Sequence, residues 1–86
     1  MIYEIKTRNK NVNKKLKEYN FSREGIEEKL ERLKINPRTE IGAHPLHGKL
    51  KGKWACWLAS NIRMIYEIDD KNKIIIVEAV GTHKIY

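Results

Sequence analysis

The chain is poor in the residues that staple or anchor a small protein. It has one cysteine, Cys56, in 86 residues. That excludes an internal disulfide framework and any cysteine-based zinc site. No run comes near the roughly 18 consecutive apolar residues of a membrane-spanning helix. Glu4 stands where a secretory signal needs an apolar run, so the expected location is the cytoplasm, with no membrane partner. Glycine and proline are scarce, at five and two. Pro37, Gly42, Pro45, Gly48 and Gly52 all fall between residues 37 and 52, which marks one irregular loop. Acidic residues are also few. There are 11 Asp plus Glu against 18 Lys plus Arg, a net charge of +7.

What is present is a single globular domain, residues 1–86, with 41% hydrophobic and 34% charged residues. The positive charge is uneven. Residues 1–21 carry six bases and two acids, and residues 37–63 carry five bases and one acid. Residues 22–36 balance, and residues 64–86 are slightly acidic. Two separate basic blocks point to a polyanion such as nucleic acid. A lysine-rich solvated surface is the bland alternative.

Apolar periodicity predicts the elements. Residues 2–7 read as an opening strand. Val12, Leu16 and Tyr19 recur at helical spacing beneath a lysine-rich face. A second helix is predicted from Phe21-Ser22, with Ser22 as N-cap and Ile26, Leu30 and Leu33 as its stripe. Asn36-Pro37 ends it. Three strands follow, at 53–59, 62–68 and 73–80, joined by the Ser60-Asn61 and Asp69–Asn72 turns. Ile74-Ile75-Ile76-Val77 predicts a central strand covered on both faces. The expected fold is α+β, in the order β-α-α-β-β-β, with one mainly antiparallel sheet and a helical hairpin packed on one face.

The residues that could do chemistry are few. His44 and His47 lie three apart, but Pro45 forbids the helical turn that would stack them, so no metal site is expected. Cys56 sits among apolar residues and reads as a buried small hydrophobe. Arg63 lies in an apolar strand, where it either pairs with Glu67 or Glu78 or clamps a phosphate. Trp54 and Trp57 are three apart in a strand and so point to opposite faces. One should join the core, and the other could stack on a base or pack against a partner protein. His44, Lys49, Lys51, Lys53, Arg63, His83 and Tyr86 gather at strand ends and in the long loop.

Three segments in order carry a resemblance. They are His44-Pro45-Leu46-His47-Gly48-Lys49-Leu50-Lys51-Gly52, Arg63-Met64-Ile65-Tyr66-Glu67-Ile68 and Gly81-Thr82-His83. Together they resemble the RelE/YafQ toxins of type II toxin–antitoxin pairs, within the RelE/ParE superfamily. The resemblance implies a ribosome-dependent mRNA endoribonuclease, an mRNA interferase with no cofactor. It would act in the ribosomal A site beside 16S rRNA, cut mRNA by 2′-OH attack on the adjacent phosphate, and be neutralised by a cognate antitoxin. His44 then matches a loop acid/base or orienting group, and Arg63 the arginine that stabilises phosphate charge. His83 matches the general acid for the leaving oxygen, and Tyr86 the aromatic that positions the nucleotide. Lys49, Lys51, Lys53 and Trp57 become RNA-binding candidates. Trp57, Asn61 and Ile62 depart from the YafQ pattern, which has histidine, aspartate and tryptophan there. Two alternatives share the scaffold: a ParE-like gyrase poison that works by contact, and a plain RNA-binding domain.

Overall fold

A computed structural model describes residues 2–82. β1 (Glu4–Thr7) turns inward through Tyr3 and Ile5. Asn9 then caps α1 (Lys10–Ser22), its side-chain oxygen accepting from the Val12 N–H at 2.9 Å. Leu16 is buried, with Val12 and Tyr19 packed beside the core, while Lys10, Lys14, Lys15 and Lys17 face solvent. The predicted stripe therefore holds, but the predicted break does not. α1 runs on through Phe21 and Ser22, and the Ser22 hydroxyl donates back to the Tyr19 carbonyl at 3.3 Å instead of capping a second helix.

α2 (Ile26–Ile35) begins only after Gly25, whose φ of 87° makes the chain reversal. The physical reason is local. The turn needs a left-handed residue, and Gly25 is the one residue there that takes it without steric cost. Glu27 and Glu28 sit at the positive end of the α2 dipole, and Arg32 and Lys34 at the negative end. Ile26, Leu30 and Leu33 are buried. Asn36 ends the helix before Pro37, as its sequence predicts.

The loop that follows holds two short 3-10 turns, Glu40–Gly42 and Gly48–Leu50, around the two-residue strand β2 (His44–Pro45). Three long strands complete the sheet: β3 (Trp54–Ala59), β4 (Ile62–Asp69) and β5 (Ile74–Gly81). The sheet order is β1-β5-β4-β3-β2. β1 and β5 run parallel, and every other neighbouring pair is antiparallel. This is the mainly antiparallel α+β sheet that the sequence predicts.

Both helices cover the same face. Cys56, Leu58, Met64, Tyr66, Ile75, Val77 and Val80 point into that core. β5 is central, but it is not covered on both faces. Ile75 and Val77 are fully buried, whereas Ile74 and Ile76 are only half-buried on the far side. Two helices on a chain this short sheathe one face, and the described residues cover the second only in part, with Ala55 and Ile65 buried there. Two bulges shape the sheet, one beside Leu58 and one at Glu78. The Leu58 carbonyl accepts from Lys29 Nζ at 3.1 Å, which ties the first bulge to α2. No helix of the described residues is long and apolar enough to cross a membrane.

Candidate functional site

Strand alternation sorts the polar residues onto the open face. Cys56 and Met64 face the core in register, so the next pair, Trp57 and Arg63, faces outward. Arg63 is half-buried and lies over the Trp57 ring, 4.2 Å from guanidinium carbon to ring centroid. That distance is a cation–π contact. On its other side Arg63 is in register with Gly81, the last residue of β5. His44 is in register with Ala55, which shares the outward face of β3 with Trp57. His44 thus shares their face but lies across β3 from Arg63, one row (~7 Å) along and two strands (~10 Å) over. Trp54 lies on the opposite face and packs against the core, so the tryptophan split read from spacing holds.

The loop that delivers His44 is unusual. Ile41 (φ 47°) and Gly42 (φ 72°) are two successive left-handed residues. A β-branched residue rarely adopts that conformation. The kink brings Gly42 against the Trp57 indole, where a Cβ would stand 3.0 Å from Trp57 Cδ1. Only glycine fits. The Gly42 carbonyl also lies 2.9 Å from His44 Nδ1. A carbonyl oxygen can only accept, so Nδ1 carries a proton, and in the neutral ring Nε2 keeps the lone pair.

The cations divide into two groups. Lys49 and Lys51 are exposed around the 3-10 turn Gly48–Leu50. Lys53 is paired instead. Its ammonium contacts the Glu67 carboxylate and lies 3.3 Å from Glu78, and the Glu67 hydrogen bond holds it above its usual pKa. Arg8 reaches Glu78 at 2.6 Å. The two carboxylates offered in the sequence as partners for Arg63 therefore serve Lys53 and Arg8. Among the described residues, no group of three or more His, Cys, Asp or Glu is placed to hold a metal ion. His83 and Tyr86, the tail residues singled out in the sequence, lie outside the described residues.

Sequence reasoning missed Gly42 and the Arg8–Glu78–Lys53–Glu67 chain. A glycine two residues before a histidine was a faint signal for the first. The second joins residues as far as 70 apart and leaves no local signal.

No protein-family model and no curated protein matches the sequence significantly. Solved structures do match in shape. A chain of the RelBE2 toxin–antitoxin complex from Mycobacterium tuberculosis superposes with a TM-score of 0.74 at 16% identity, covering 96% of this chain and 100% of that one. The E. coli toxin RelE, solved in the free state as a double arginine-to-alanine mutant, gives 0.71 at 22% identity, covering 98% and 86%. E. coli YafQ gives 0.65 at 23% identity, covering 94% and 93%. The fold is that of the RelE and YafQ toxins. At these identities the likeness is one of fold, and the RelE-like sheet is the frame that places His44, Trp57 and Arg63 on one face.

Proposed function

We propose that the protein is the toxin of a type II toxin–antitoxin pair and an mRNA endoribonuclease acting on the translating ribosome. One observation carries the reading: Arg63 lies on Trp57 beside Gly81, on the same face as His44, whose Nδ1 is engaged by the Gly42 carbonyl so that Nε2 is the nitrogen left to act. The RelE-like fold and the basic loop support it. In this mechanism His44 Nε2 takes the proton of an mRNA 2′-OH. The 2′-oxygen forms a bond to the adjacent phosphorus, and the phosphorus–5′-oxygen bond breaks. His83 returns a proton to the 5′-oxygen, leaving a 2′,3′-cyclic phosphate and a 5′-hydroxyl. Arg63 balances the charge that gathers on the phosphate, a role its planar fork suits. Tyr86 positions the nucleotide, and Lys49 and Lys51 hold the RNA backbone. The toxin–antitoxin complex of similar fold supports a cognate antitoxin, and charge complementarity makes it an acidic chain that covers this basic face.

Primer extension on a reporter message in a translating extract tests the proposal. Cuts within translated codons are expected from the wild type and not from His83→Ala. His44→Ala is expected to slow cleavage about 10²–10⁴-fold, the usual range for one acid/base group. Intact message in the presence of folded protein sinks the ribonuclease reading. DNA damage on expression would then point to a gyrase poison, for which Trp57 in place of an acid/base residue is the motivating feature.

A further inference from the structure

We propose that Trp57 is a positioning residue, and that Gly42 couples it to His44 so that base and phosphate clamp are aligned as one unit. The inference rests on the ribonuclease reading and assigns a role to one of the residues where this chain departs from the YafQ pattern. An arginine side chain has many rotamers, and a fork that must meet a phosphate in one orientation needs a wall to lie on. The Trp57 indole is that wall, 4.2 Å from the Arg63 guanidinium carbon. With Arg63 over its face, the ring serves as a support and not as a platform for a base.

The indole is itself fixed by Gly42. An added Cβ at Gly42 would stand 3.0 Å from Trp57 Cδ1, so backbone and ring are in direct contact there. The same residue's carbonyl lies 2.9 Å from His44 Nδ1. One glycine thus touches the wall behind Arg63 and sets the tautomer of His44. The left-handed pair Ile41-Gly42 makes both contacts possible, because the kink turns the carbonyl toward His44 while the α-carbon meets the ring. Ile41 packs against the hydrophobic core and anchors the kink from behind. Strain held by surrounding structure next to candidate catalytic groups is the usual mark of pre-organisation.

The experiment uses the full chain and two kinds of readout. Solution NMR follows the ring-current shift on the Arg63 side-chain protons and the His44 ring nitrogens, which distinguish an Nδ1–H from an Nε2–H tautomer. Cleavage of translated message gives kcat and KM. In the wild type, Arg63 protons shifted by the indole and an Nδ1–H His44 are expected. Trp57→Phe keeps an aromatic face and should retain part of the shift and cleavage within about tenfold. Trp57→Leu should abolish the shift and lower kcat about 10²-fold with little change in KM, the scale of a misplaced catalytic group. Gly42→Ala should move the Arg63 and His44 signals together. Wild-type kcat in Trp57→Leu overturns the proposal, and so does Gly42→Ala with both signals unmoved. A wild-type protein that cleaves no RNA overturns the ribonuclease reading alone, and the two NMR signals still decide the coupling.

Discussion

Arg63 sits on a strand whose other members are mostly apolar, and its proposed role as a charge stabiliser is open to direct test. Arg63→Ala is expected to lower cleavage about 10²–10³-fold, the cost of losing one preorganised donor at a phosphate. Arg63→Lys should recover little, since a point charge neither lies flat on Trp57 nor forks. Single-turnover cleavage checks both. Cys56 behaves in the opposite way. It is 1% exposed, and burial pushes its thiol up to about 12. Thiol reagents at pH 8 are therefore expected to label it only on unfolding, which a labelling time course in rising denaturant would show.

Asp70 gives a pH prediction. The Arg38 guanidinium grips it with two bonds of 3.0 and 2.7 Å, with Tyr3 adding a third, and this holds its carboxyl well below the usual carboxylate range. A depressed folded-state pKa means that the unfolded chain binds the proton first. The stability it contributes is present above the unfolded value, near 3.9, and is lost as pH falls below it. Thermal melts of the wild type should drop on the acid side, and Asp70→Asn should flatten that drop. An identical acid limb in the mutant would show that other carboxylates control it.

At the scale of elements, the αα-hairpin isolates backbone from packing. Gly25 has a φ of 87°, and a Cβ there meets nothing within 4 Å. Gly25→Ala is thus expected to cost about 1–2 kcal/mol through backbone conformation alone, measurable by urea unfolding. Leu33 is fully buried, and Leu33→Ala should cost about 2–5 kcal/mol through lost burial and the cavity left behind. The contrast explains which part of the hairpin was legible. The stripe Ile26, Leu30, Leu33 follows from spacing, because burial acts on every third or fourth residue. The boundary does not. Ser22 is a good capping residue, but its hydroxyl finds the Tyr19 carbonyl of the helix already formed. α2 therefore starts at Gly25 with no side-chain cap, and it is α1 that is capped, by Asn9.

For the whole molecule, the net charge of +7 predicts salt-sensitive binding to RNA. Lys49→Ala and Lys51→Ala should each reduce the slope of log affinity against log salt by roughly 0.7, the value for one contact to a single strand. Lys53→Ala should leave that slope nearly unchanged, because Glu67 and Glu78 already neutralise its ammonium. A filter-binding titration over several salt concentrations separates the three. The acidic partner expected of such a basic face should likewise bind more weakly as salt rises.

The fold class, the order of β1, β3, β4 and β5 along the chain and the opposite faces of the two tryptophans were determined by the sequence alone, whereas the two-residue β2 falls in what reads as an irregular loop. Apolar periodicity and turn residues act over a few positions, and the alternation of a strand is a local property. The open second face of β5, the pairing of Lys53 with Glu67 and Glu78, and the meeting of Gly42, His44, Trp57 and Arg63 were decided only by tertiary structure. Those contacts join residues on separate strands and loops. Their identity depends on sheet register, and on a left-handed kink at Ile41-Gly42 that no local propensity would select.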